Sequence, residues 1–170
     1  MKVQDVARSQ LDFWHGTCGA MMGNCNDVLN KQVPGATITS IASVYAHMVF
    51  SEDAIINGML QGKPMMYQSD GWAAKTGIPD PGMPPSVGEW AKTVKMDYPK
   101  FQEYAQAVFA NTNSYIQGLS DPDLDKKVQT PIGEQTIGWT LTTLLGTHAP
   151  QHAGEIAALM GVQGLKGLPF

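Results

Sequence analysis

The stretch Leu141-Thr142-Thr143-Leu144-Leu145-Gly146-Thr147-His148-Ala149-Pro150-Gln151-His152-Ala153-Gly154-Glu155-Ile156-Ala157-Ala158-Leu159 decides the fold. Leu141, Leu144, Leu145, His148, His152, Ile156 and Leu159 follow one another at three- and four-residue steps, the spacing of one helix face. A helix this long with one apolar face has to bury it against other helices. The turn Thr130-Pro131-Ile132-Gly133 precedes it, a start by about Thr136 is predicted, and Gly161 follows it.

Three more segments carry the same period. The first shows its stripe at Leu11, Trp14, Cys18, Met21, Met22, Cys25, Val28 and Leu29 and stops before Pro34-Gly35. The second is predicted from Thr37 or Thr39 as N-cap to about Leu60, with Ile41, Tyr45, Met48 and Ile55 inward. The third is predicted from a cap at Ser86, with Val87, Trp90, Ala91, Val94, Phe101, Tyr104, Ala105 and Val108 in its stripe and a kink at Pro99. The fold class expected is all-α, a four-helix bundle, unless the short segment Val128 to Ile132 is extended.

Between the second and third helices, residues Gln61 to Ser86 hold five prolines and four glycines without a period. A connection of that length in a compact domain is usually functional or disordered, and here it carries Met65, Met66, Tyr67 and Trp72. It also frees the second and third helices to run parallel. Partial order against one end of the bundle is expected.

At 170 residues the chain fits one domain, 1–170. With 43% hydrophobic and 15% charged residues it collapses and does not remain disordered. The net charge is −4 and Arg8 is the sole arginine beside ten lysines, which argues against a nucleic-acid footprint. Polar residues interrupt every apolar run short of a membrane span, and the start Met1-Lys2-Val3-Gln4-Asp5 lacks the core of a signal peptide, so cytoplasmic residence is expected. Cys18 and Cys25, seven apart on a helix, lie about 10 Å apart, too far for a disulfide.

The chemistry centres on histidine. His148 and His152 are four apart on the inward face, and His47 sits between Val44 and Phe50 at the edge of a buried stripe. A helical His pair is commonly a surface or hydrogen-bonded core feature. Buried imidazoles need partners, however, and three neutral imidazoles around a divalent cation satisfy both sides and leave one coordination position open. Glu155, three after His152, reads as an acceptor that orients a ligand imidazole, a fourth ligand or a solvated side chain. His15 and Cys18 have the spacing of a nucleophile pair, although Cys18 on the core stripe reads as a small buried hydrophobe. Gly161, Gly164 and Gly167 follow a helix instead of opening one, so they read as a flexible tail and not a phosphate cradle. The methionines read as core filler.

Taken together, Tyr45-Ala46-His47-Met48 on the second helix, the His148 to Ile156 run on the fourth and the ending Gly164-Leu165-Lys166-Gly167-Leu168-Pro169-Phe170 resemble the DinB-like superfamily of metal-binding four-helix bundles. The similarity covers nearly the whole chain. It implies a divalent-metal site of His47, His148 and His152 holding zinc, nickel or iron, up-down-down-up topology, and a homodimer. Some relatives are transferases that attach low-molecular-weight thiols such as bacillithiol or mycothiol to a small electrophile, or are isomerases and hydrolases; many have no assigned reaction. Pro150 departs from the usual pattern because it cannot donate to the Gly146 carbonyl, so either the helix starts afresh there or Gly146 absorbs a bend. Two functional expectations follow: a metal-dependent thiol transferase or hydrolase, or a non-catalytic bundle with a structural or empty site acting by dimerisation or ligand sequestration.

Overall fold

The computed structural model describes residues 2–25, 27–37, 40–82 and 88–170. Four long helical runs dominate it. The first, α1, spans Val3–Gly23; the second joins α2, Ile41–Asp53, to a π-helical turn, Ala54–Met59. Two short helices follow in the crossover, α3 (Met66–Ser69) and α4 (Trp72–Thr76), and a third, α5 (Glu89–Thr93), precedes α6 (Tyr98–Gln117). After the short α7 (Asp121–Leu124), strands β1 (Lys127–Thr130) and β2 (Gly133–Thr136) form an antiparallel hairpin with Thr130 opposite Gly133. The last run joins α8 (Ile137–Trp139), a π-helical turn (Thr140–Leu145) and α9 (Gly146–Gly161).

The fold is thus all-α apart from one small hairpin, which makes the segment at Val128 extended. Both α1 and α2 pack on α6 and on α9, so the long helices enclose a common interior. No described helix is long and apolar enough to cross a membrane.

Several helix limits differ from the periodic reading, each for a local reason. Helix α1 ends at Gly23, yet Cys25 and Leu29 remain buried beyond it, so their burial belongs to the connection and extended the apparent stripe. Ser40 caps α2, beyond Thr37: its Oγ accepts from the Ser43 amide at 3.2 Å while Ser43 Oγ donates to the Ser40 carbonyl at 2.8 Å. Thr39, Ser86 and Val87 lie outside the described residues. Pro99 does not kink the third long helix. It stands in the first turn of α6, where its missing N–H would be unsatisfied anyway, and Val94 before it is extended.

Pro150 lies inside α9, which runs through it without a break. The π-helical turn Thr140–Leu145 lies directly upstream. Gly146 keeps ordinary right-handed dihedrals, φ −65° and ψ −22°, so it absorbs no bend by conformational freedom. Its smallness matters instead: a Cβ there would come within 3.2 Å of the Leu141 carbonyl and 3.4 Å of Gln10 Oε1.

The core divides in two. One cluster gathers around Met22, Met48, Phe50 and Phe101, the other around Leu11, Ile56, Leu141 and Leu145. His15, Thr112 and His148 each fall between members of the two clusters along their helices, and Glu52 on α2 meets His15 there. The described part of the crossover packs against the first cluster, with Met65, Tyr67 and Ile78 buried. The C-terminal segment expected to be loose also packs back, with Leu165 and Leu168 against the core.

Candidate metal centre

His47 stands on α2 between buried Val44 and Phe50, as its place beside an apolar stripe predicts. His148 and His152 occupy successive turns of α9, flanked by buried Ala149, Ala153 and Ile156. Contact between α2 and α9 brings the three rings together. His148 Nε2 lies 3.3 Å from His47 Nε2 and 3.1 Å from His152 Nε2, and all three residues present ligand atoms within 4.8 Å of one another. Among the described residues this is the one cluster of histidine, cysteine and carboxylate groups of that compactness.

The protonation chemistry of the cluster favours a cation at its centre. Burial, with the neighbouring imidazole of His152, pushes His47 down to about 4 and His148 down to about 3. Both rings are therefore neutral at pH 7. His152 donates from Nδ1 to the Glu155 carboxylate at 2.6 Å, which fixes the ring with Nε2 toward the other two rings. A shared proton satisfies one pair of converging nitrogens; a divalent ion satisfies all three. Nitrogens held about 2.0–2.1 Å from a tetrahedral ion stand about 3.3 Å apart, close to the two Nε2 separations found here. The donor set thus fits a divalent metal.

Around this centre the supports are unequal. Glu155 orients His152, Ser51 Oγ reaches His47 Nε2 at 3.5 Å, and His47 Nδ1 is buried with no hydrogen-bond partner among the described residues. The side chain of His152 is 14% accessible, so the centre is not sealed from solvent.

The His15 and Cys18 pair does not form. His15 Nε2 lies 2.9 Å from Glu52 Oε2 and its ring stacks on Phe109, whereas Cys18 Sγ donates to Met48 Sδ at 3.8 Å. Burial pushes the Cys18 thiol up to about 12 and the Cys25 thiol up to about 11, and both are free thiols.

Sequence reasoning passed over the buried polar run Ser51-Glu52-Asp53, whose signal is three polar residues in succession within an otherwise apolar helix. Asp53 is fully buried and accepts from Asn57 Nδ2 at 2.8 Å, the Met66 and Tyr67 amides at 3.0 Å each, and the Tyr104 hydroxyl at 2.7 Å. It fixes the first turn of α3 to α2. Tyr67 in turn hydrogen-bonds the Ile78 carbonyl and Thr76 Oγ1, which holds the far side of the crossover.

No curated protein matches the chain. A crystal structure described as the conserved protein of locus from Enterococcus faecalis shares the fold: TM-score 0.79 at 20% identity, covering 94% of this chain and 95% of that one. The family profile of the DinB superfamily matches residues 20–156, a span that takes in His47, His148 and His152 and all or most of the last three long helical runs, and the chain belongs to that superfamily.

Proposed function

We propose that this protein binds one divalent metal ion, zinc, nickel or iron, through His47, His148 and His152, and uses it as a metal-dependent thiol transferase or hydrolase. The observation that carries the reading is the convergence of three imidazole Nε2 atoms, with contacts of 3.3 and 3.1 Å. An ion bound there supplies Lewis acidity, lowering the pKa of a low-molecular-weight thiol or a water in its open position. The residues do the rest. Glu155 holds the His152 ring in orientation, burial keeps His47 and His148 unprotonated, and the apolar surroundings of Val44, Phe50 and Ala149 limit water around the ligands.

The bundle belongs to the same reading. With the Gln61 to Ser86 crossover linking the second and third long helices, the proposed topology is up-down-down-up, supported by the packing of α1 and α2 on both α6 and α9. The partners proposed are a small thiol and a small electrophile, in a homodimer located in the cytoplasm.

Elemental analysis of untagged protein, beside a His148→Ala and His152→Ala double variant, tests the metal. Near one ion per chain, absent from the variant, is expected. No ion after reconstitution with zinc, nickel and iron overturns the reading. A loaded protein that melts far lower in chelator, yet consumes no electrophile with or without thiol, shows the ion to be structural and the bundle non-catalytic.

A further inference from the structure

Of the buried polar run on α2, Glu52 meets His15 and Asp53 holds the crossover, which leaves Ser51 without an assigned role. Ser51 is 7% exposed and stands one turn past His47, and its Oγ lies 3.5 Å from His47 Nε2, the outer limit of a hydrogen bond. Among the described residues the hydroxyl has no other hydrogen-bonding contact.

Two observations separate this serine from an ordinary helical hydroxyl. Ser and Thr inside a helix commonly turn the hydroxyl back onto the carbonyl four residues earlier, as Thr140, Thr142 and Thr147 do at 2.9, 2.9 and 2.6 Å. Ser51 Oγ makes no such bond to the His47 carbonyl and lies beside a ring nitrogen of that residue instead. The second is where that nitrogen points. His47 Nε2 converges with His148 and His152, and ligand atoms around a tetrahedral ion stand about 3.3 Å apart, so a hydroxyl 3.5 Å from Nε2 borders the coordination sphere on the His47 side. An ion that takes the Nε2 lone pair removes the acceptor this hydroxyl has, and a buried donor left without one costs free energy.

We infer that Ser51 positions the fourth ligand of the metal centre: with His47 engaged by an ion, the Ser51 hydroxyl donates to the lone pairs of the atom in the open position, and thereby favours a thiolate or another monodentate anion over a neutral ligand. Chemistry sets the class. An anionic sulfur, oxygen or nitrogen keeps lone pairs after it coordinates and accepts a charge-assisted bond from Ser51, whereas an imidazole nitrogen has none left. The inference rests on the three-histidine metal reading and deepens it, since it names what selects the small thiol at that centre.

The test uses cobalt-reconstituted protein, whose visible and near-ultraviolet bands report ligands that enter the coordination sphere. Mercaptoethanol, azide and imidazole are titrated in turn, and cobalt affinity is measured by chelator competition. Ser51→Ala is expected to weaken the two anionic ligands about tenfold while imidazole and cobalt bind within about threefold of wild type, and Ser51→Thr, which keeps the hydroxyl, should restore anion binding to within about threefold. Unchanged anion binding by Ser51→Ala overturns the inference. So does an equal loss of the anions and imidazole, or a loss of cobalt itself, because Ser51 then supports the site as a whole or ligates the ion. A wild-type protein that takes up cobalt and binds none of the three probes also overturns it, and leaves the three-histidine site standing without an open position. If wild type takes up no cobalt, zinc, nickel or iron, the metal reading falls and the inference falls with it.

Discussion

Glu52 Oε2 lies 2.9 Å from His15 Nε2 in the interior of the protein, where the His15 ring stacks face to face on Phe109 at 3.6 Å between centroids. The other carboxylate oxygen, Oε1, is buried with no hydrogen-bond partner among the described residues. A group half-satisfied in this way costs more to strip of its partner than to replace by a near-isostere. Glu52→Ala, which leaves His15 unpaired and opens a cavity, is expected to lower the unfolding free energy by about 2–4 kcal/mol. Glu52→Gln, which keeps the volume and one acceptor, should cost about 1 kcal/mol. Urea unfolding of the two variants decides it; equal losses would show that the His15 contact contributes nothing specific.

Asp53 holds the crossover through four donors, two of them the backbone amides of Met66 and Tyr67. Asp53→Asn exchanges an acceptor for a donor that none of those N–H groups can use, so α3 should loosen while the long helices persist. Hydrogen exchange at Met66 and Tyr67 should accelerate by at least tenfold, about 1.4 kcal/mol in local opening, with helical circular dichroism unchanged. Unaltered exchange at both amides would mean that Tyr67, through Thr76 and Ile78, secures the crossover unaided.

Acid should weaken the metal-free protein before most carboxylates titrate. In the unfolded chain His47 and His148 take up protons near 6.5, whereas burial delays uptake in the native state to about 4 and about 3. Between those values the unfolded state binds more protons, so stability falls as pH falls. These two residues therefore cost nothing above about pH 7, and the loss grows as pH drops from about 6.5 toward 4. Urea midpoints measured from pH 7.5 to 5 should decline, and His148→Asn should reduce the slope. A midpoint level across that range in metal-free protein would contradict the buried, neutral state of both rings.

A metal held by the three histidines would feel Glu155 through His152. Removing its charge by Glu155→Gln leaves a weaker acceptor for Nδ1–H and a less basic Nε2, and a 10- to 100-fold loss of metal affinity is expected. Competition against a chromophoric chelator measures this directly. Affinity within twofold of wild type would show that the 2.6 Å contact does not tune the ligand.

The histidine cluster was legible because both parts of its signal are local. Spacing put His148 and His152 on one face of one helix, and the leucines at 141 and 145 showed that the face points inward. The extent of α6 was less legible: Trp90, Val94 and Phe101 continue one apparent stripe, yet the chain breaks between Thr93 and Tyr98 because Pro99 starts a helix more readily than it continues one. The π-helical turns at 54–59 and 140–145 leave no mark on a pattern read at 3.6 residues per turn. The roles of Glu52 and Asp53 depend on partners 37 residues back at His15 and 51 residues on at Tyr104, which no window along one helix contains.

The parting of the core into two clusters has a mechanical side. At the level of His15, Glu52 and His148 the long helices add to hydrophobic adhesion, which tolerates sliding, the directional contacts of His15 with Glu52 and of His148 with His47, which do not. An ion drawing His148 toward His47 pins the last helix to the second at the edge of that plane, as a rivet fixes two plates. With the rivet in place the two blocks should come apart together. Without it, the block built on Leu11, Ile56 and Leu141 is free to fray ahead of the one built on Met48 and Phe101, so occupancy of a small site is felt as the cooperativity of the whole molecule.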